Sequence, residues 1–215
     1  MNNKILSKVF GWMFIGLLIT FLTGYVVTLN QNMVINIFSK GVYIFLIIIE
    51  LLLVLFFSFR IFKMNEITAK TCFLLYSFIS GLTFSSIFIA YQLSSIMYVF
   101  LISSLLFAIL AIIGSKTNID LSSIRIFLFI GLIGVFLSFI VNIFVRSSSF
   151  DLIISIIALI VFLGYTVYDV QKIIRMSEFD QIPENNLAIY GAFQLYLDYI
   201  NIFIRLLELY GKRRD

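Results

Sequence analysis

Long apolar stretches with almost no charge occupy most of this chain, and they constrain its fold more than any other feature. The chain has 215 residues, of which 62% are hydrophobic and only 12% are charged. Soluble domains carry about 25% charged residues, and a helix needs about 20 apolar residues to cross a bilayer. The sequence therefore predicts an all-α membrane protein with a single integral membrane domain over residues 1–215.

Seven stretches have the length and composition of a membrane-spanning helix. The first is too long for the apolar part of a signal peptide and lacks a small-residue cleavage site, so we expect it to be retained. The last is the most polar. The predicted spans cover residues 9–29, 41–62, 71–91, 95–113, 126–145, 150–171 and 187–210.

The flanking Lys and Arg residues predict the orientation of the bundle, because cytoplasmic loops carry an excess of them. One side collects nine: Lys4, Lys8, Arg60, Lys63, Lys70, Lys116, Arg125, Lys172 and Arg175. The other side has five: Lys40, Arg146, Lys212, Arg213 and Arg214. The amino terminus is therefore predicted to be cytoplasmic. The basic tail favours the opposite side, which leaves open a last helix that enters the membrane without crossing it.

Two carboxylates lie inside apolar spans, Asp169 in the sixth and Asp198 in the seventh. A charged residue there costs about 2.5–3.5 kcal/mol on insertion scales, so each is a candidate functional residue. The chain has no histidine, so proton-linked behaviour near neutral pH must come from such carboxylates. The single cysteine, Cys72, excludes an intrachain disulfide and a thiolate metal cluster.

Polar residues of the seventh span recur every three or four positions, which is one face of a helix. They are Gly191, Gln194, Asp198, Asn201, Arg205 and Glu208. A polar stripe of this length cannot face lipid. We therefore expect the last helix to be central and surrounded by the other six, with its stripe lining a polar cavity. Tyr165, Asp169 and Lys172 form a similar stripe on the sixth span.

Helix geometry predicts the depth of these groups, at about 1.5 Å per residue. Glu50 and Asp198 are expected near the bilayer midplane. Arg60 and Asp169 are expected near the cytoplasmic end. Two acids in hydrogen-bond reach share a proton and titrate as a unit, and ionised acids around water offer the oxygen ligands that Ca²⁺ takes.

Several of these residues also have ordinary interpretations. Arg60 could be an interfacial residue whose long side chain reaches the headgroups. Arg205 and Glu208 could be a surface ion pair. Asp169 could lie at a solvated helix end. Glu50 and Asp198 are the hardest to explain without a function.

Two motifs resemble signatures of the Bax-inhibitor family, the transmembrane Bax inhibitor motif proteins. FLGYTVYDVQKI at residues 162–173 resembles the sixth-helix pattern Gly-Tyr-x-x-Tyr-Asp-Thr-Gln, with Val170 in place of the usual Thr. LYLDYINIFIRLLELYG at residues 195–211 resembles the last-helix pattern Leu-Tyr-x-Asp-x-Ile-Asn. Seven spans, the chain length and a cytoplasmic amino terminus also agree with this family.

The resemblance implies a pH-sensitive calcium leak channel without enzymatic activity or a cofactor. It makes Asp169 and Asp198 the paired acids of the pH sensor, which could also bind calcium, and Arg60 the latch on Asp169. Glu50, Asp198 and Asn201 are then the candidates for the ion path. The implied partners are the calcium ion and the lipid bilayer, and no nucleic acid is expected.

Two other functions are open at this point. One is a regulator that binds another membrane protein, such as a protease or a death-pathway component. The other is an intramembrane aspartyl protease, which Tyr168-Asp169 fits in part. The second protease motif, Gly-x-Gly-Asp, is absent because residues 195–198 read Leu-Tyr-Leu-Asp, and no Pro-Ala-Leu motif follows. Abundant Ile, Phe, Asn and Lys together with short loops indicate a bacterial plasma membrane protein.

Overall fold

The computed structural model describes residues 2–39, 41–179 and 182–214, and these residues form eight α-helices. Short 3₁₀ turns at Ile61–Lys63 and Leu121–Ile124 follow α3 and precede α6. The helices are α1 (Asn2–Thr28), α2 (Gln31–Phe38), α3 (Val42–Arg60), α4 (Glu66–Ala90), α5 (Leu93–Lys116), α6 (Arg125–Val145), α7 (Ser148–Met176) and α8 (Glu184–Tyr210).

All of these helices except α2 are long and apolar enough to cross a membrane, which gives seven candidate spans among the described residues. This finding confirms the predicted all-α membrane fold. The helices extend beyond the predicted spans at several ends: α4 begins at Glu66, and α7 continues to Met176. The predicted spans followed the apolar stretches, whereas a helix also satisfies its backbone hydrogen bonds where its side chains are polar.

The short helix α2 was not predicted. The sequence pattern predicted only that the first span ends at residue 29 and that the second begins at residue 41. Instead, Asn30 is the N-cap of α2, and its side chain accepts hydrogen bonds from the backbone N–H groups of Asn32 and Met33. This is the usual role of Asn at a helix start. Lys40, which was counted in the orientation argument, lies outside the described residues.

The chain divides into two compact units. Unit 1 comprises Met1–Leu93, Ile174–Tyr196 and Arg213–Asp215, and unit 2 comprises Ser94–Ile173 and Leu197–Lys212. The helix α8 therefore contributes its first half to unit 1 and its second half to unit 2. The single integral membrane domain over residues 1–215 stays a prediction.

In unit 1, α1 and α4 pack closely because small residues line their interface. A Cβ atom added to Gly81 of α4 would lie 2.6 Å from Cβ of Thr23 and 2.9 Å from the carbonyl oxygen of Thr20, both on α1. Only a glycine fits this approach. Close packing of small residues is how helices associate where lipid removes the hydrophobic driving force.

Aromatic side chains fasten the first half of α8 into unit 1. Phe193 is fully buried, and its ring contacts Phe57 of α3 and Phe73 and Tyr76 of α4 at centroid distances of 4.6, 6.5 and 5.2 Å. The hydroxyl of Tyr196 lies 2.7 Å from Oγ1 of Thr20 on α1. This half of α8 thus contacts α1, α3 and α4.

The second half of α8 has partners on the other three spanning helices, all within unit 2. The hydroxyl of Tyr199 lies 2.9 Å from Oγ of Ser104 on α5. The guanidinium of Arg205 lies 4.5 Å from the ring centroid of Phe139 on α6. Oγ of Ser155 on α7 donates to Glu208, at 2.8 Å. Arg205 and Glu208 also pair with each other. Through Phe139 and Ser155 they connect α8 to α6 and α7, whereas a surface ion pair would contact neither helix.

These contacts and the burial of α8 confirm that the last helix is central and surrounded by the other six. In its most apolar stretch 72% of the residues are buried, against 44% for α4 and 6% for α3 and α6. The polar stripe predicted this position, because a helix that cannot face lipid must face protein.

We expect Phe193→Ala to destabilise unit 1 by about 2 kcal/mol. In water-soluble cores the same change costs about 3–5 kcal/mol, but lipid is as apolar as the protein interior, so mainly the lost packing contacts remain. Thermal unfolding in detergent measures the effect. Phe136→Ala is the matched control, because Phe136 is 60% exposed on α6. Equal losses in the two variants would contradict the assigned role of Phe193.

Candidate functional site

Two buried carboxylates form the centre of the candidate site in unit 2. Asp169 on α7 is 4% exposed, and Asp198 on α8 is 5% exposed. The carboxylates lie close enough to interact electrostatically, and the phenol of Tyr165 lies within the same range of both. The depth estimate had placed Asp169 and Asp198 in separate layers. The structure brings them together, and we refer to them below as the acid pair.

Lys172 is the basic partner that unit 2 supplies to the acid pair. Its Nζ lies 3.6 Å from Oδ1 of Asp169, one helical turn away on α7. The same ammonium lies 5.9 Å from the ring centroid of Tyr168, and its charge also acts on Asp198. The sequence stripe contained Lys172 but assigned it no role. A buried carboxylate needs such a partner, since an isolated buried charge is costly.

Asp198 carries an unsatisfied oxygen atom. Its Oδ2 is buried and has no hydrogen-bond partner among the described residues. More than about 90% of buried polar groups in proteins are satisfied, so each exception calls for an explanation, and Nε of Arg205 is a second exception among the described residues. A carboxylate oxygen that the protein leaves without a donor can accept a bond from a proton, a water molecule or a cation.

Helix geometry accounts for the way these side chains face one another. Tyr165, Asp169 and Lys172 are spaced by three and four residues and therefore share one face of α7.

Asn201 lies one turn beyond Asp198 on α8, and its Nδ2 donates to the carbonyl oxygen of Leu197 at 2.8 Å. The amide oxygen of Asn201 is thereby held in a fixed orientation on this helix.

Glu50 occupies a separate polar cluster in unit 1. Oγ1 of Thr83 donates to one carboxylate oxygen at 2.9 Å, and the hydroxyl of Tyr76 donates to the other at 3.4 Å. The charge of Glu50 also acts on Tyr196. Two hydroxyl donors in a membrane helix pair hold this carboxylate in place and leave further lone pairs for an ion.

Arg60 is the last residue of α3 and is exposed. The structure describes it within unit 1, whereas the acid pair belongs to unit 2. Its predicted role as a latch on Asp169 therefore stays a prediction that the family signature implies. Sequence reasoning correctly located it at the end of its helix.

The donor set at the acid pair fits a transient ion better than a resident metal. Among the residues that the structure describes, no three His, Cys, Asp or Glu side chains converge as a metal site would require. Calcium takes six to eight oxygen ligands. Two carboxylates supply only part of such a shell, and water would have to supply the remainder. The assignment of Asp169 and Asp198 as calcium ligands stays a prediction.

Sequence reasoning overlooked two buried amides near helix ends. Nδ2 of Asn186 on α8 donates to the carbonyl oxygens of Ile61 and Met64, at 3.1 and 2.8 Å. Gln171 on α7 bonds to the loop between α5 and α6. A helix end leaves carbonyl groups without partners, and these amides satisfy such groups. The sequence feature that could have indicated Asn186 and Gln171 is an amide side chain on a helical face that is otherwise buried.

Comparison with known proteins gives a consistent result over the whole chain. Residues 2–215 match the family model described as inhibitor of apoptosis-promoting Bax1. The chain is 39% identical to a protein of Borreliella burgdorferi over 218 residues, which cover 100% of this chain and 94% of that relative. It is 37% identical to the inner membrane protein YbhL of Escherichia coli over 214 residues, which cover 97% of this chain and 92% of YbhL.

The signatures around Asp169 and Asp198 lie within the matched residues, and the seven helices of membrane-spanning length agree with the similarity to an inner membrane protein. The chain therefore belongs to the Bax inhibitor family.

Proposed function

We propose that this protein is a pH-sensitive calcium leak channel of the bacterial plasma membrane, with a cytoplasmic amino terminus. The observation that carries the proposal is the acid pair, a pair of buried carboxylates of which one keeps an unsatisfied oxygen on the central helix. Ionisable groups inside a membrane protein mark ion pathways and proton relays. The family membership supports the same function.

The acid pair supplies the pH sensor in this proposal. Two interacting carboxylates bind and release protons as a unit, so a single protonation event changes the charge facing Lys172. Protonation of Asp169 weakens its attraction for basic partners, which are Lys172 in the structure and Arg60 by family resemblance. The path then opens to cations.

Asp198, Asn201 and Glu50 supply oxygen atoms along the ion path. Carboxylate and amide oxygens are the ligands that calcium prefers. The fixed orientation of Asn201 and the two hydroxyl donors on Glu50 hold those oxygens in place. An ion path needs sites that bind a cation well enough to admit it and weakly enough to release it.

The direct test is calcium flux by the purified protein in liposomes, from about pH 5 to about pH 8. Two controls accompany this measurement. One uses liposomes without protein, and the other uses liposomes that contain the protein and are kept at one pH throughout. We expect flux that rises as the pH falls. Absence of calcium flux at every pH in that range would overturn the proposal.

Glu50→Gln is expected to lower calcium flux about tenfold, the lower end of the loss seen when groups around a metal are removed. Gln keeps one oxygen acceptor for Thr83 and replaces the oxygen facing Tyr76 by an NH₂ group that can donate to the phenol oxygen, but it lacks the charge that attracts calcium. The pH profile should keep its midpoint, because Glu50 belongs to the path and not to the sensor. Flux measurements over the same pH range check both statements. A displaced midpoint would make Glu50 part of the sensor.

A further inference from the structure

Gln171 binds the inner end of α7 to the loop that follows α5. Its Oε1 accepts a hydrogen bond from the backbone N–H of Leu121 at 3.0 Å. Its Nε2 donates to the carbonyl oxygen of Ile119 at 2.8 Å and to that of Thr117 at 3.4 Å. One side chain thus engages three backbone groups of a single loop. Gln171 is 7% exposed, so water competes little with these bonds.

A second contact holds the same end of α7 from the same direction. Gly114 lies in the last turn of α5, and a Cβ atom added there would come within 2.6 Å of the carbonyl oxygen of Val167 and 3.0 Å of Cβ of Val170. The helices α5 and α7 therefore touch backbone to backbone. Val170 is fully buried at this contact. Gly114 and Gln171 act one turn apart and leave α7 little freedom to rotate or slide.

We refer to the bonds of Gln171 and the contact at Gly114 together as the brace. Helix geometry relates the brace to the acid pair. Asp169 and Gln171 are two residues apart, which turns their side chains about 200° from each other around the helix axis. The face that carries Gln171 therefore points to α5 and its loop, while the face that carries Asp169 points to Asp198. Any rotation of α7 that released Gln171 would also move the Asp169 carboxylate relative to Asp198.

We infer that Gln171 is a positioning residue for the acid pair: its three bonds to the α5–α6 loop, with the Gly114 contact behind them, fix where Asp169 stands relative to Asp198. The inference rests on the proposed function only where it treats the acid pair as a pH sensor; the positioning of Asp169 does not depend on calcium transport. Within unit 2, Lys172 acts electrostatically on both carboxylates, and Tyr165 is a titratable group close to both of them. Both belong to α7 and move with Asp169.

The test compares three variants of the brace with two controls in the purified full-length protein. Gln171→Met keeps the length of the side chain and removes all three hydrogen bonds. Gly114→Ala forces α5 away from α7 without changing a polar group. Gln171→Asn, which keeps the amide on a shorter side chain, is the mildest change. The controls are Gln31→Leu, at an exposed position on α2, and Gly134→Ala, where no atom lies within 4 Å of an added Cβ.

The readout is the pH at which the acid pair binds its proton, followed by infrared spectroscopy of the carboxyl bands. Asp169→Asn and Asp198→Asn identify those bands by their loss. We expect the brace variants to move this midpoint by about half a pH unit, roughly threefold in proton affinity, and the controls to keep it. Calcium flux in liposomes should show the same displacement.

An unchanged midpoint in a folded brace variant, with only the thermal stability lowered, would overturn the inference and leave Gln171 a purely structural residue. The mildest variant, Gln171→Asn, decides the question if Gln171→Met and Gly114→Ala do not fold. Infrared titration does not depend on transport. A displaced carboxyl midpoint in a protein that conducts no calcium would therefore refute the channel and support the positioning role.

Discussion

The calcium flux of Asp169→Asn at about pH 8 is expected to equal that of the unmodified protein at about pH 5. Asn resembles a protonated Asp in size and stays neutral at every pH. The variant therefore cannot attract Lys172, whose Nζ lies 3.6 Å from Asp169 in the structure, nor Arg60 in the proposed latch. The path should stay open, and calcium flux should become independent of pH.

Liposome flux at several pH values measures this effect. Asp151→Asn is the matched control, because Asp151 is an exposed acid at the start of the same helix and accepts a hydrogen bond from Asn142. Its pH profile should match that of the unmodified protein. A closed channel at high pH in Asp169→Asn would show that Asp169 does not hold the gate.

Asp198→Asn should reduce calcium flux about tenfold or more at every pH, since it removes a carboxylate from both the sensor and the path. The protein should nevertheless fold normally. Oδ2 of Asp198 has no hydrogen-bond donor among the described residues, so no satisfied bond is lost there. Replacing a buried charge by a neutral group also removes a desolvation cost. Stability and function are therefore expected to change in opposite directions.

Two measurements on the same preparation separate these effects. Thermal unfolding in detergent should give a midpoint equal to or above that of the unmodified protein, and liposome flux should fall. A large loss of thermal stability would mean that the Asp198 carboxylate supports the fold. Stability and flux that both stay at the unmodified level would remove Asp198 from the ion path.

The fold followed from the sequence because a bilayer restricts the choices. Backbone groups in lipid must be paired within helices, so the apolar stretches alone predicted the seven spans. The polar stripe through Asp198 and Asn201 then predicted the central position of α8, since no other position excludes those residues from lipid. The acid pair was found because charged residues are rare in such helices.

Other parts of the site depend on tertiary contacts that a linear pattern does not contain. Lys172 shares a helical face with Asp169 in the sequence pattern, but that pattern does not show that the Lys172 ammonium lies 3.6 Å from the Asp169 carboxylate and also acts on Asp198. The depth estimate placed Asp169 and Asp198 in separate layers, whereas in the structure the Asp169 carboxylate acts electrostatically on Asp198. The bonds of Gln171 and Asn186 end on backbone atoms of distant segments, which no side-chain spacing reveals.

The central claim is that protons act on calcium flux through the acid pair. Its most direct test is the pH profile of flux in the double variant Asp169→Asn/Asp198→Asn beside the unmodified protein, in matched liposomes from about pH 5 to about pH 8. We predict a steep profile for the unmodified protein and a flat one for the double variant. Profiles with the same pH dependence in the two proteins would contradict the account.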